Sequence, residues 1–439
     1  MRVRLLSFLR RPTVLTAGVA MVLRGATLAS RFLLSILLAR MLSPSDMGEY
    51  GLITAMLAFG LFVLGLEFYS YTLRELVPAS PAKRVQIIAD QIVLASASFA
   101  VISIVAVVAA LMGLLPKKIL FLFLLVLVTE NASLEAMRIL IITSRVVHAY
   151  IAGFLRGGIW VFALGLLMYL EPSTRSLEMV LIWWAGGGLL AVVYSALCLL
   201  DLPWRNLRCY RPDLGWIQAG LRTARPFMLT AVSALMLSYI DRFFIDGFVG
   251  RHELGIYTFY STILIGILSL GTSISHQFLP RIISGHAVGA DAYRRIVVLF
   301  LVSMLIVAGG LVVVAGLTMG PLLRLFGLRD YAEFIGVFYL MLPGLFLRML
   351  ADVPSYALYA AHSDKVLLLC NISAAAVTVV SNIVLVPIFG LAGAALSGAF
   401  ASAILFLSLG VVARDRTRNY SGRPTETAAI SNDTHARYN

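Results

Sequence analysis

The sequence predicts an all-α integral membrane protein with about twelve transmembrane helices in two six-helix lobes related by a pseudo-two-fold axis. Composition, recurring apolar runs and an internal repeat predict it. Of the 439 residues, 60% are hydrophobic and only 13% are charged, whereas soluble domains average about a quarter charged. Mean hydropathy is +0.93. Since only helices and closed barrels satisfy the backbone inside a bilayer, runs of about 20 apolar residues indicate spanning helices.

The apolar runs set approximate limits for these spans. The first run follows four basic residues, as in a signal peptide, but it is too long and lacks a clear small-residue cleavage site. We therefore expect an uncleaved first span. The twelve predicted spans are 13–39, 49–73, 87–114, 119–141, 147–170, 178–200, 226–249, 255–279, 296–319, 333–361, 366–388 and 391–413.

An internal repeat relates the two halves of the chain. Segments 42–50 and 249–257 align, and further matches share their offset of 207 residues. The matched positions are Asp46 with Glu253, Gly48 with Gly255, Tyr50 with Tyr257, Leu57 with Leu264, and Arg74 with Arg281. Each block joins an odd span to the following even one, so the halves share one orientation. Such a repeat predicts a central cavity between the halves, near the membrane midplane.

The repeat and the composition also predict the limits of the domains. We expect an N-terminal six-helix lobe over 1–210 and a C-terminal six-helix lobe over 211–413. The remaining residues, 414–439, are polar and are expected to form a disordered cytoplasmic tail. The connection at 201–225 is basic and aromatic. It is interpreted as a linker along the cytoplasmic interface, with recognition of lipid phosphates as the alternative.

The basic residues are distributed unequally between the two sides of the membrane. With the N-terminus inside, and with Arg138 near the end of the fourth span counted with the connection that follows, 23 of the 35 Lys and Arg residues fall on the cytoplasmic side, seven on the opposite side and five within spans. Because basic residues collect in cytoplasmic loops, both termini are predicted to be cytoplasmic. The same asymmetry explains the net charge of +13 without a nucleic acid partner.

Two arginines in the first span are the most informative polar residues. Arg24 and Arg31 are seven residues apart, nearly two helical turns, so they leave one face of the helix about 10 Å apart. An arginine at mid-bilayer costs at least ~2.5 kcal/mol, and no acidic residue lies at helical spacing within this span. We expect these charges to face a wet cavity and to meet an anionic ligand, which points to transport.

Other charged residues within spans extend the candidate site. Arg242 and Asp246 are four apart and are read either as an internal ion pair or as part of the cavity. Arg348 and Asp352 repeat that spacing just after Pro343-Gly344, which is a candidate kink. The candidate substrate-binding cations are Arg24, Arg31, Arg242, Arg156 and Arg348. The candidate coupling or ion-pair carboxylates are Glu130, Asp241, Asp246 and Asp352.

Two readings of Glu130 stay open, and two further polar residues are expected to be peripheral. Glu130 either pairs with Arg24, Arg31 or Arg156, or carries a proton, since burial raises the pKa of a carboxylate. Asp90 and His276 lie near the cytoplasmic ends of their spans and are expected to be solvated.

No motif for catalysis, a cofactor or a metal is found. The sequence has no Walker loop, no paired cysteine or histidine motif and no nucleotide-binding glycine pattern, so the protein is not expected to be an enzyme. The three cysteines indicate neither a disulfide framework nor a metal site. The triple glycine at 186–188 lies in an apolar span and predicts close helix packing.

Three motifs resemble one family. Leu38-Ala-Arg-Met-Leu-Ser-Pro-Ser-Asp-Met-Gly-Glu-Tyr50 resembles the start of Wzx-type polysaccharide-biosynthesis flippases, of the multidrug/oligosaccharidyl-lipid/polysaccharide exporter superfamily. Tyr239-Ile-Asp-Arg-Phe243, through Leu254-Gly-Ile-Tyr257, looks like the seventh-span signature of that family. Asn382-Ile-Val-Leu-Val-Pro-Ile-Phe-Gly-Leu-Ala-Gly-Ala-Ala395 is similar to its eleventh-to-twelfth-span motif. These motifs occur in the order and at the spacing of the family, and the resemblance covers most of the chain.

The resemblance implies a fold and a cargo. It implies a V-shaped bundle of twelve helices that moves an undecaprenyl-pyrophosphate-linked oligosaccharide to the outer leaflet of the bacterial inner membrane. The cationic cavity of the family would correspond here to Arg24, Arg31 and Arg242. Membrane lipids are expected partners, and a polysaccharide polymerase with chain-length machinery is a candidate partner.

Two alternatives stand beside this interpretation. The first is a cation-coupled multidrug exporter of the same superfamily, which should have an acidic cavity, whereas this chain has five arginines within spans. The second is a membrane glycan polymerase or ligase, which needs a sizeable periplasmic loop that the hydropathy pattern does not show.

Overall fold

A computed structural model describes residues 12–112 and 117–419 of the chain. Within those ranges it contains twelve helices long and apolar enough to cross a membrane, and no strand, which confirms the predicted fold class. We label them by span. They are α1 Pro12–Met41, α2 Pro44–Gly65, α3 Pro81–Leu111, α4 Lys117–Ile142, α5 Val146–Leu170, α6 Leu177–Cys198, α7 Leu214–Phe248, α8 Arg251–Val288, α9 Ala290–Phe326, α10 Ile335–Ala360, α11 Asp364–Phe389 and α12 Leu391–Asn419.

The chain divides into two compact units, with the boundary between Ala231 and Val232 inside α7. In the first unit the repeat positions Gly48, Tyr50 and Leu57 are buried on α2. Their counterparts at 255, 257 and 264 are buried in the second unit, on α8. The repeat detected in the sequence therefore marks the same core-facing positions of the helix in each unit.

The start of α7 differs most from its predicted limit. We expected the span to begin at Pro226, but the helix begins at Leu214 and runs through this proline. Asp213 caps the new start, since its Oδ1 accepts the Trp216 backbone N–H at 2.9 Å. A proline inside a helix removes one backbone hydrogen bond and crowds the carbonyl four residues earlier, so the helix continues only where other contacts hold it. The apolar residues of the preceding turns pack on the first unit and maintain the helix.

Close packing explains why these turns are helical. A Cβ on Gly220 would lie 2.4 Å from Cε2 of Phe68. The Phe68 ring also meets the Trp216 ring edge-on, with their centroids 5.1 Å apart, and Tyr71 lies 5.3 Å from the same indole. The missing side chain at Gly220 thus provides the space for an aromatic cluster. The basic linker of the sequence interpretation is partly a packed helix.

Asp90 on α3 anchors the segment just before α7. We expected this residue to be solvated, and that prediction is wrong. The residue is 3% exposed. Its Oδ1 accepts the Tyr210 hydroxyl at 2.5 Å and the Asp213 backbone N–H at 3.0 Å. Burial and the hydrogen bond to Asp90 raise the pKa of Tyr210, so this hydroxyl stays a donor at physiological pH. His276, in contrast, is exposed as expected and lies 3.1 Å from the Tyr356 hydroxyl.

Replacing Asp90 with alanine is expected to destabilise the protein. The change leaves two part-buried donors of the first unit without their acceptor, and an unmade hydrogen bond of a buried group costs about 1–3 kcal/mol. Thermal melting of the purified protein in detergent measures the loss. Asp201→Ala is the matched control, because Asp201 is exposed and pairs with Arg145 at the surface, where such pairs are worth roughly 0–1 kcal/mol. Equal melting points for the two variants would contradict the anchoring role.

Two helices are interrupted where the sequence did not indicate it. α2 ends at Gly65, because Leu66 and Glu67 adopt left-handed φ values of 45° and 51°. A short helix, Tyr69–Leu76, follows. α10 runs through Pro343 and breaks at Ala351 instead of at the predicted Pro-Gly kink.

The break in α10 has a simple cause, which is the proline at position 354. A proline cannot donate to the carbonyl four residues earlier, and here that carbonyl belongs to Leu350, the last residue before the break. At the other end of the chain, α12 continues to Asn419, past the predicted end at 413. The rest of the predicted tail, 420–439, lies outside the described residues.

Candidate functional site

Arg24 and Arg31 both lie on α1 with exposed side chains. The second of them lies against α5, where an ideal Cβ at Gly157 would be 3.7 Å from its Nε and Nη2. The neighbouring Ser30 hydroxyl donates to the Gly157 carbonyl at 3.1 Å. This contact ties α1 to α5 at that level and holds the backbone that carries Arg31. α1 therefore presents two exposed guanidinium groups inside a predicted span.

A buried carboxylate lies beside this position. Glu130 on α4 is 7% exposed, and both of its oxygens are bound. Its Oε2 accepts from Nη1 of Arg156 at 3.1 Å, and its Oε1 accepts from the Trp184 indole at 2.6 Å. Of the three arginines considered from sequence, Arg156 is the one that pairs with it. Each oxygen of this buried carboxylate therefore has a hydrogen-bond donor.

The helix that carries Arg156 is irregular at that point. Residues Leu155–Ile159 form a π-helical turn inside α5. Such a turn displaces the usual donor of one carbonyl, and here the indole of Trp160 donates to the Arg156 carbonyl at 2.9 Å. That indole also stacks near Trp184, with ring centroids 6.4 Å apart and an interplanar angle of 12°. The π-turn and two tryptophans therefore position the buried ion pair.

The triple glycine at 186–188 was predicted to allow close helix packing, and two of its three residues do so. A Cβ on Gly187 would lie 2.4 Å from Cδ1 of Trp160, and one on Gly188 would lie 2.9 Å from Thr129. Gly186 has open space around it. The two close approaches bring α6 against the helices that carry Glu130 and Arg156.

The balance of charge in this group is positive. Glu130 is one carboxylate beside the guanidinium groups of Arg156 and Arg31, and it binds the first of these directly. Arg24 adds a further cation about two turns away on α1. The guanidinium group of arginine is a planar fork of N–H donors, which suits bidentate binding of phosphate. The exposed arginines of α1, supported by the buried pair, can therefore bind an anionic group.

In the second unit, Arg242 is almost completely buried, with 2% exposure. Its Nη2 donates to the Ser261 hydroxyl at 3.4 Å, and its guanidinium lies 5.0 Å from the centre of the Tyr239 ring. Next to it, Asp241 accepts a short hydrogen bond from the Tyr257 hydroxyl. These contacts place the seventh-span motif in the core of the unit.

An ion pair was one of two readings of Arg242 and Asp246, and the described contacts give the carboxylate another partner. Asp246 instead accepts two hydrogen bonds from Arg251, at 2.6 and 3.1 Å. A tight turn at Gly250, with φ of +134°, brings the start of α8 back to the end of α7. The bidentate geometry satisfies the carboxylate outside the core of the unit.

Arg348 and Asp352 do not form the predicted pair either. The break at Ala351 lies between them, and no ion pair joins them in the part of the chain that the structure describes. Oδ2 of the carboxylate is buried without a hydrogen-bond partner in the described structure. The two residues still lie close enough to interact electrostatically.

Sequence reasoning missed a second polar group on α4. Glu135 forms short contacts with Arg138 and with the Gln91 amide. The guanidinium of Arg138 also lies 4.3 Å from the centre of the Tyr69 ring. The i, i+3 spacing of Glu135 and Arg138 was the available signal. It was missed because the charge of Arg138 was counted with the following connection, although this residue lies within the predicted span and within α4.

Comparison with known proteins identifies the class of fold. No protein-family model and no curated protein matches the sequence. Among solved structures, many chains share the fold, and all those compared below are membrane transporters.

Three of these structures show the range of the class. The lipid II flippase MurJ, in an inward closed conformation, has a TM-score of 0.72 and 13% identity, over 90% of this chain and 87% of its own. An inward-facing multidrug resistance MATE family transporter of the MOP superfamily has the same TM-score and identity, over 91% and 99%. A MOP superfamily transporter from Pyrococcus furiosus, described as having a binding pocket of reversed polarity, has a TM-score of 0.56 and 13% identity, over 92% and 95%.

The protein thus has the fold of MOP superfamily transporters, the exporter superfamily named above. At this level of identity the comparison establishes the fold alone. A lipid flippase and a multidrug transporter match equally well, so the cargo must be argued from the residues of this chain.

Proposed function

We propose that the protein flips an undecaprenyl-pyrophosphate-linked oligosaccharide, an O-antigen or exopolysaccharide repeat unit, across the bacterial inner membrane by alternating access of its predicted lobes. The observation that carries the proposal is the pair of exposed arginines on α1, with Arg31 beside the buried Arg156–Glu130 pair. A pyrophosphate offers several oxygens to guanidinium forks, and a partly dehydrated site strengthens each charge-assisted bond.

Two further features support this cargo and orientation. One solved structure of the same fold is that of a lipid II flippase. The unequal distribution of basic residues supports an inner-membrane protein with both termini in the cytoplasm, so the cargo would be loaded from the side where it is synthesised. A polysaccharide polymerase and chain-length machinery would then act on the flipped unit.

A cation-coupled multidrug exporter is the second candidate function. It is supported by the MATE family transporter, which matches as well as the flippase does, and by carboxylates within spans that could couple transport to cations. Glu130 and Asp241 are the first candidates for that role, although the structure pairs the former with Arg156 and the latter with Tyr257.

Reconstituted vesicles separate the two functions. We expect the purified protein to move a fluorescent polyprenyl-pyrophosphate oligosaccharide between leaflets, measured as the fraction that becomes accessible to a membrane-impermeant quencher. Protein-free vesicles and vesicles with the same lipid lacking its pyrophosphate are the controls. Cation-driven uptake of lipophilic dyes without movement of the glycolipid would replace the proposal with the exporter function.

A further inference from the structure

The second unit contains a groove that none of the charged residues described above lines. It has a volume of about 550 Å³, within the range of roughly 300–1,000 Å³ that is typical of sites for small molecules. Residues of α9, of the second half of α10 and of α12 form its walls. Its apolar lining is formed by Val297, Val298, Leu301, Val353, Pro354 and Phe406.

The three helices are fixed to one another around this groove. The Tyr293 hydroxyl on α9 donates to the Ala357 carbonyl on α10 at 2.8 Å. The Arg294 Nε donates to the Thr417 carbonyl on α12 at 3.1 Å. The walls are therefore held by hydrogen bonds at the end of the groove where α9 starts and α12 ends. Val298 is 58% exposed, so this wall is open to the surroundings of the unit.

Only one end of the groove is polar. Arg294, Arg414 and Thr417 line that end, whereas the remaining lining residues carry no charged or polar side chain. Arg414 is exposed on α12, and small residues at Gly410 and Ala413 leave room beside it. The groove thus combines an apolar channel with two cations and a hydroxyl at one end.

We propose that this groove binds one anionic membrane phospholipid, with an acyl chain along the apolar walls and the phosphate against Arg294 and Arg414. Charge complementarity identifies this occupant. A zwitterionic lipid fills the apolar part equally well, but only an anionic headgroup gains fully from two arginines. Basic residues at the membrane surface, and basic pockets between transmembrane helices, favour anionic headgroups. The proposal concerns the second unit alone and does not depend on the transported cargo.

Paired charge variants test the site. Each basic residue near the surface is worth about fivefold in affinity for anionic lipid. Arg294→Gln/Arg414→Gln is therefore expected to weaken binding of phosphatidylglycerol about 25-fold, measured by native mass spectrometry of the purified full chain. Arg295→Gln/Arg416→Gln is the matched control, because it removes the same charge from exposed arginines of the same helices that do not line the groove. Equal weakening by both pairs would overturn the proposal.

A second variant tests the apolar part of the groove. A Cβ at Gly410 meets no atom within 4 Å, so Gly410→Leu fills the groove without a clash and is expected to displace the lipid. Gly310 on α9 has the same open space and lies outside the groove, so Gly310→Leu should retain the lipid. Retention by the Gly410 variant contradicts the proposal. Tighter binding of undecaprenyl phosphate than of phosphatidylglycerol would also contradict it, because the occupant would then be a polyprenyl lipid.

Discussion

Replacing Arg24 and Arg31 together with alanine is expected to abolish export of the lipid-linked glycan while the protein stays in the membrane at its normal level. Both side chains are exposed on α1, so their removal leaves no buried cavity. Charge-assisted hydrogen bonds are worth ~1.5–3 kcal/mol each, and each single change should therefore weaken substrate binding about 10- to 100-fold. Glycan export in a strain without the native gene measures the effect, with membrane abundance measured in parallel.

Two controls separate charge from structure in this experiment. Lysine at both positions keeps the charge but loses the fork, so it should retain intermediate export. Arg40→Ala removes a third exposed arginine, from the last turn of the same helix, and should leave export unchanged. Normal export by the double alanine variant would refute the binding role. Loss of protein from the membrane would show a structural role instead.

Glu130→Gln is expected to destabilise the first unit strongly. It leaves the Arg156 guanidinium, whose side chain is 12% exposed, buried without its counter-ion. Breaking a buried pair on one side costs about 3–5 kcal/mol. The Arg156→Gln/Glu130→Gln double variant removes both charges and should recover part of that stability. Melting of the purified protein in detergent provides the measurement, since a difference of this size shifts the midpoint clearly.

The same variants decide between the two roles of Glu130. If it is a counter-ion alone, the double variant should regain export together with stability. If it carries protons, the double variant should be stable but should keep at most residual export, which no longer depends on pH. Asp246→Asn is the control, because its pair with Arg251 is much more exposed and is worth roughly 0–1 kcal/mol. Wild-type stability and export from Glu130→Gln alone would eliminate both roles.

The number and the order of the helices could be predicted from hydropathy because a run of about twenty apolar residues indicates a membrane-spanning helix. The limits could not always be predicted. Pro226 looked like a helix start, but the turns before it are helical because Gly220 allows the Phe68 ring to approach closely. That contact joins distant parts of the chain. Asp90 was misplaced for the same reason, since its partners, Tyr210 and Asp213, lie far away in sequence.

The charged residues of the candidate site could be found from sequence, but their partners could not. Helical spacing favoured Asp246 for Arg242, whereas the turn at Gly250 brings Arg251 to the carboxylate instead. Glu130 had three candidate arginines, and only the packing of α4, α5 and α6 selects Arg156. Spacing rules apply within one helix, and most of these charges are satisfied between helices.

The π-turn at Leu155–Ile159 also affects how this protein can be aligned with others. A wider turn takes up one additional residue, and one residue corresponds to about 100° of rotation around a helix. If a relative has a regular helix here, an ungapped alignment that is correct before Leu155 will assign each later residue of α5 to the wrong face. Such an alignment would pair Trp160 with the residue that corresponds in space to Val161 of this chain. A one-residue gap at Arg156 should therefore be tested before any function is carried over to or from this helix.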